Sequence, residues 1–139
     1  MRFMIVVKAS KDSEAGIMPS EERMTAMADY HEELSKAGVL LDGNGLHPSS
    51  KGWRIIWSGG KRTISDGPFT EAKELIAGYT IIQVKSREEA FEWAKRFPNP
   101  SVDDGEIEIR QLFEFDDFSQ GEAVERFREM YVGTKGLGA

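Results

Sequence analysis

The stretch Asp66–Glu74, DGPFTEAKE, joins two runs that have the composition of β-strands. Before it, Arg62–Ser65 is strand-like, and after it Gly78–Val84 is rich in β-branched and aromatic residues. Carboxylates, an ammonium group and a proline of fixed φ are crowded into this loop. A connection that only reverses the chain does not need such chemistry, so we expect the loop to do more than turn.

A β-hairpin is predicted immediately upstream of this loop. Trp53–Trp57 alternates, with its two tryptophans and Ile55 on one face. The segment Ser58–Lys61 holds two consecutive glycines, which tolerate the positive φ of a tight hairpin turn. The turn therefore pairs Trp53–Trp57 with Arg62–Ser65.

Two helices are predicted from caps and apolar periodicity. Ser20 is placed as the N-cap of the first helix and Gly38 as the residue that ends it. Its apolar face consists of Met24, Met27, His31 and Leu34. A capping box at Ser86–Glu89 opens the second helix, and Pro98 stops it. Its buried face consists of Ala90, Trp93, Ala94 and Phe97.

The remaining segments complete the chain. In order they are a strand at Phe3–Val7, a polar loop at Ala9–Pro19, a strand at Val39–Leu41 that leads into a turn or bulge at Asp42–Gly45, a loop at Leu46–Gly52, a loop at Asn99–Gly105, a strand at Glu106–Phe115, a third helix at Glu122–Tyr131, with Val124, Phe127 and Tyr131 on one side, and a glycine-rich tail at Gly133–Ala139 that is expected to fray.

Without the Trp53–Ser65 hairpin the order is βαββαβ, the ferredoxin-like plan, in which both helices cover one face of an antiparallel sheet. The last strand presents a charged face at Glu106, Glu108 and Arg110. A second copy packed on the open face would cover its apolar part and leave a partly polar cavity, so we predict a homodimer. We divide the chain into a ferredoxin-like domain, residues 1–118, and a C-terminal helix with a flexible tail, residues 119–139.

Composition excludes several classes of protein. With 139 residues, 40% hydrophobic and 30% charged, the chain is predicted to form one globular domain. A net charge of −6 disfavours a nucleic-acid partner. No window approaches the roughly 18 apolar residues of a membrane helix, and the N-terminus does not resemble a signal peptide. Since there is no cysteine, disulfides and thiolate chemistry are excluded, and we expect a cytoplasmic protein.

His31 is a candidate general base, because it falls on the inward face of the first helix and an imidazole titrates near neutral pH. The alternative is a core histidine that is hydrogen-bonded to a strand. Asp66 is a candidate to orient that histidine or to take a proton. Its alternative role is an Asx-turn, in which the carboxylate caps its own backbone.

Four further residues are candidate ligand contacts. If extended, Glu71 and Lys73 share a face and could clamp a ligand, whereas in a helical turn they would be solvated. Phe69 is either a stacking platform or a plug for the core. Arg110 suits a carboxylate ligand, but the neighbouring Glu108 offers it an ordinary ion pair.

Metal and cofactor sites are not predicted. His31, His47 and Asp42 lack any metal-ligand spacing. The chain contains no dinucleotide fingerprint, P-loop or nucleophile elbow.

The loop and its surroundings closely resemble the DGPF branch of the YCII-related family. The similar segments are Asp66–Glu74, Ile76–Tyr79, Ser86–Pro98, Gly105–Arg110, Tyr30–Leu34 and Gly38–Leu40, within residues 1–115. The resemblance implies a dimeric α/β barrel of ferredoxin-like protomers. In the wider family, a histidine of the first helix and an aspartate are proposed as an active-site pair, and His31 matches that histidine. Members outside this branch often carry Asp-Pro after the second helix, where this chain has Phe97 and Pro98, so we choose Asp66 as the carboxylate.

We therefore predict a small-molecule isomerase or lyase, in which His31 moves a proton on an organic acid or lactone in a polar pocket beside Asp66–Lys73. This prediction follows partly by analogy with muconolactone-isomerase-like enzymes of the same assembly. One alternative is a non-catalytic ligand-binding or regulatory dimer, since some relatives are encoded near, or joined to, sigma-factor-like regulators. Another is a purely structural dimer whose motif serves the turn.

Overall fold

The structure, a computed structural model, describes residues 1–131, so the predicted tail Gly133–Ala139 lies outside the described residues. The elements of the described part are β1 (Arg2–Lys8), α1 (Lys11–Glu14), α2 (Glu21–Lys36), β2 (Leu40–Gly45), β3 (Trp53–Ser58), β4 (Lys61–Asp66), β5 (Ile76–Gln83), α3 (Arg87–Lys95), β6 (Ile107–Gln111) and α4 (Glu122–Tyr131). None of the helices within residues 1–131 is long and apolar enough to span a bilayer.

Four strands form an antiparallel sheet in the order β2-β5-β1-β6, and β3 and β4 form a separate two-stranded sheet. This strand order is that of a ferredoxin-like fold, with the β3–β4 hairpin inserted between its second and third strands. The predicted α+β plan and the inserted hairpin are therefore confirmed.

The core lies between one face of the four-stranded sheet and the helices α2 and α3. In the sheet, Phe3 lies opposite Ile82 and Ile5 lies opposite Thr80. These side chains point to the helical side because side chains alternate along a strand. The buried cluster consists of Phe3, Ile5, Tyr30, Leu34, Val39, Ile82, Val84 and Ala90. The helical side of the sheet is thus closed by α2 and α3.

The predicted inward face of α2 is displaced in the structure. Leu34 is fully buried, but Met24 is 51% exposed, and Tyr30, which the prediction left out, is buried. The Tyr30 hydroxyl donates a 2.7 Å hydrogen bond to the Trp93 carbonyl and so ties α2 to α3. Burial, the largest cause, raises the pKa of Tyr30 to about 12.

The ends of these helices follow the predicted caps with one change. Ser20 caps α2 through the backbone N–H of Arg23, and Gly38 follows α2 with φ +74°. At α3, the Ser86 hydroxyl accepts from the Glu89 N–H, but the Glu89 carboxylate accepts from the Lys85 N–H instead of that of Ser86. Ser86 is thus the N-cap, while the predicted reciprocal bond is absent.

Three predicted boundaries differ from those in the structure. The loop predicted at Ala9–Pro19 contains α1, where Ser10 and Ser13 form a capping box. Of the turn or bulge predicted at Asp42–Gly45, a bulge is present between Leu40 and Asp42, and the segment continues as part of β2. The last strand ends at Gln111 because its partner, β1, begins at Arg2 and leaves no strand to pair with.

Candidate functional site

His31 lies in the middle of α2 and points toward β5. Its Nδ1 lies 2.8 Å from the Met27 carbonyl oxygen and its Nε2 lies 2.9 Å from the Thr80 hydroxyl. Because a carbonyl can only accept, Nδ1 carries a proton, and in the neutral ring Nε2 is then the acceptor. The Thr80 hydroxyl therefore donates to Nε2, and α2 holds the imidazole in a single tautomer.

Two glycines of β2 leave the imidazole open from the edge of the sheet. Gly43 lies opposite Thr80, and a Cβ built on it would be 3.4 Å from the His31 Nε2. A Cβ on Gly45 would meet nothing within 4 Å. We call this gap, formed by Gly43 and Gly45 on the outer strand β2, the glycine notch. A side chain larger than alanine at Gly43 would cover the imidazole, so glycine here provides space instead of the predicted turn.

Asp66 is the last residue of β4, and it pairs with Trp53 across the hairpin. Its carboxylate is exposed and makes no hydrogen bond or ion pair with any residue in 1–131, so the predicted Asx-turn is not formed. The next residue, Gly67, donates its N–H to the Gly52 carbonyl at 3.0 Å. A Cβ on Gly67 would collide with the carbonyl of Ser49. Close backbone packing therefore requires the glycine of the motif.

Ser49 and Glu14 hold the loop against the rest of the chain. The Ser49 hydroxyl accepts from the Phe69 N–H at 3.0 Å, and it donates to the Glu14 carboxylate. The same carboxylate accepts from the Ser49 N–H at 2.9 Å. The sequence carried no signal for this anchor, because the short α1 that positions Glu14 was expected to be loop.

The other predicted ligand contacts are dispersed. Phe69 is half-buried under the Arg54 guanidinium, 3.8 Å from the ring centroid. Glu71 accepts from the Thr70 hydroxyl, and Lys73 lies exposed in a short 3-10 turn, so the two do not form the extended clamp. Arg110 lies 3.9 Å from Glu108, and its side chain is 76% exposed.

His31 and Asp66 are not paired within one protomer, since both ring nitrogens of His31 are bonded to other residues. The loop that contains Asp66 is fastened at the start of β5, where the Leu75 carbonyl accepts from the Ala9 N–H. Thr80 lies four positions after Ile76 in β5, which is about 13 Å at strand rise. The structure thus puts the imidazole and the loop at different points along the sheet.

A family model described as the YCII-related domain matches residues 1–116. The chain belongs to the YCII-related family. A similar protein is an uncharacterized protein of Rhizobium meliloti (strain 1021), 29% identical over 92 residues, which are 66% of this chain and 74% of that protein. A similar solved structure is 5-chloro-2-hydroxyhydroquinone dehydrochlorinase from Burkholderia phenoliruptrix AC1100 in complex with 2,5-dihydroxybenzoquinone. Its TM-score is 0.40 and its identity 16%, over 81% of this chain and 94% of that one.

In this YCII-related protein, Phe97 lies beside the candidate base. Its ring centroid is 6.4 Å from that of His31, and Tyr30 approaches the imidazole edge-on at 5.6 Å. Phe97 therefore gives the imidazole an aromatic neighbour. Among residues 1–131, no group of three histidine, aspartate or glutamate side chains is arranged to hold a metal ion.

Proposed function

We propose that this YCII-related protein converts a small organic acid or lactone by proton transfer, in an isomerase or lyase reaction with His31 as general base. One observation carries the proposal: the Met27 carbonyl fixes the proton on Nδ1, so Nε2 presents its lone pair beside the glycine notch. A base needs this orientation before its basicity can be used.

The chemistry follows from the groups around Nε2. A substrate bound over Gly43 and Gly45 takes the place of the Thr80 hydroxyl as the partner of Nε2. The displaced hydroxyl is then free to donate to an oxygen of the substrate on which negative charge develops. Asp66 has no step in this scheme within one protomer, because no bond links it to His31.

The test is a screen of small acids and lactones for conversion, followed by NMR, with His31→Ala as the test variant. His47→Ala is the matched control, because His47 is exposed in the loop after β2. Loss of a general base lowers the rate by about 10²–10⁴-fold, and we expect this for His31→Ala with circular dichroism unchanged. A folded His31→Ala variant that keeps its rate within threefold would refute the assignment.

A homodimer is part of the same proposal, with the open sheet faces of two protomers packed into an α/β barrel. The hairpin, a sheet separate from the four-stranded one, adds an exposed apolar surface for the partner copy to cover: Trp53 is 64%, Trp57 71% and Ile64 67% exposed. Apolar groups gathered on one element mark an interaction surface. Sedimentation should give twice the protomer mass of 15.6 kDa, and a species of 15.6 kDa at micromolar concentration would rule the dimer out.

A non-catalytic ligand-binding or regulatory dimer is the second candidate. The observation that favours it is that both nitrogens of His31 already have partners, as in a core histidine. Compounds that raise the melting temperature but are never converted support this candidate, since a bound ligand stabilises the fold by mass action. Conversion that depends on His31 eliminates it.

A further inference from the structure

The sheet face opposite α2 and α3 presents two rows of side chains. Pairing of the four strands puts Asp42, Ile81, Met4 and Arg110 in the first row, and Asn44, Tyr79, Val6 and Glu108 in the second. Both rows run from polar groups on β2, across apolar side chains, to charged groups on β6. His31 and the glycine notch lie on the other face, so these rows are a separate surface.

The β2 end of the rows is a closed hydrogen-bond network. The Tyr79 hydroxyl donates to Asp42 Oδ2 at 2.9 Å, and Asn44 Nδ2 donates to both the Tyr79 hydroxyl, at 3.0 Å, and Asp42 Oδ1, at 3.1 Å. The network uses these donors internally and leaves acceptors: within residues 1–131 the Asn44 side-chain oxygen has no partner. A ligand group that meets this end must therefore donate, as a hydroxyl does.

The β6 end is accessible and carries both signs of charge, since Glu108 lies on the last strand with Arg110 and Glu106 directly precedes that strand. Lys8 and Arg110 both approach Glu108, at 3.7 and 3.9 Å, so two positive charges share one carboxylate. The Arg110 contact is long and the side chain 76% exposed, which leaves most of the guanidinium fork unused. A planar fork of this kind is suited to a carboxylate.

The middle of the surface is apolar, and its width sets the length of the ligand. Met4, Val6 and Ile81 lie between the two polar ends. Three strand spacings, about 14 Å, separate β2 from β6, and side chains at both ends shorten the gap. A small molecule with matching ends would satisfy the polar groups at both ends of the rows.

We propose that this sheet face binds an elongated hydroxylated carboxylic acid, with the hydroxyl at Asn44 and Tyr79 and the carboxylate at Arg110. This site is independent of proton transfer at His31. A second copy packed over this face covers the bound ligand and does not take its place.

Three probes test the two ends separately by calorimetric titration of the full chain: para-coumarate, cinnamate, which lacks the hydroxyl, and para-coumaryl alcohol, which lacks the carboxylate. We expect saturable binding of para-coumarate and about tenfold weaker binding of each of the other two. Arg110→Gln should weaken both acids but not the alcohol. Tyr79→Phe should weaken the two hydroxylated probes but not cinnamate.

Two control variants distinguish binding at this site from other effects. Arg87→Gln removes an exposed cation on α3 and should leave every affinity unchanged. His31→Ala should also leave the affinity for para-coumarate unchanged, so failure of the proposed reaction and failure of this site are distinguishable. The site is refuted if para-coumarate does not bind saturably, if the three probes bind equally, or if Arg110→Gln has no effect. It is also refuted if Arg110→Gln changes only the dimer dissociation constant, because a second copy then occupies the face.

Discussion

Raising the pH should weaken the bond between α2 and α3 through one side chain, Tyr30. In the folded chain the pKa of Tyr30 is raised to about 12, chiefly by burial, whereas a tyrosine in an unfolded chain titrates near pH 10. A raised folded pKa means that the stabilisation is fully present below pH 10 and is lost as the pH rises through 12.

The magnitude follows from the linkage relation and one hydrogen bond. Between pH 10 and 12 the stabilisation falls by about 1.4 kcal/mol per pH unit, so about 1.4 kcal/mol has gone at pH 11. In Tyr30→Phe the bond to the Trp93 carbonyl is lost at every pH, at a cost of about 1 kcal/mol. That carbonyl still accepts from the Arg96 N–H, so no buried acceptor is left unpaired. We expect the variant to be less stable at pH 8 and equal to or more stable than the parent chain at pH 11.

The assay is urea denaturation of both chains at pH 8, 10 and 11, followed by circular dichroism. Every other side chain is common to both chains, so its contribution cancels in the difference between the two free energies of unfolding. A difference that is the same at pH 8 and pH 11 would refute the reasoning, because burial would then not discriminate between the two protonation states of Tyr30.

Three further outcomes follow from the packing. Gly43→Val should cover the His31 imidazole and lower turnover about a hundredfold with the fold retained, while Gly43→Ala should keep activity. Equal turnover rates for these two variants in a kinetic assay would contradict the role assigned to the glycine notch. Gly67→Ala should destabilise by about 1–3 kcal/mol in urea denaturation, because its Cβ meets the Ser49 carbonyl, whereas Gly45→Ala, with nothing within 4 Å, should cost less than 1 kcal/mol. Leu34→Ala should lower the free energy of unfolding by about 2–5 kcal/mol, and a loss under 1 kcal/mol would mean that the core is not centred on this residue.

Much of the fold could be predicted because its signals are local. Alternation, caps and the paired glycines of the hairpin turn are properties of short segments, and they gave β3, β4 and the start of α2 correctly. Where the outcome depended on a distant partner, prediction failed. The end of the last strand is set by the first residue of β1, and the rotation of α2 is set by the Tyr30 bond to Trp93.

The candidate site was less predictable for the same reason. His31 was found because it follows the apolar repeat of α2, but its partner Thr80 lies 49 positions away, and nothing local to either residue indicates that they meet. Asp66 was chosen for its motif, yet its position depends on contacts of the hairpin base with Ser49 and Gly52. Gly43 looked like a turn residue because a glycine that makes room for a side chain has the same local signature.

The hairpin joins the rest of the chain chiefly at its base, through the hydrogen bonds of the Gly67 and Phe69 N–H groups. The four-stranded sheet does not include the hairpin strands. Insertions or exchanges at its tip therefore leave the shared architecture untouched. The sequence of the hairpin tip can therefore vary without changing the strand order of the main sheet.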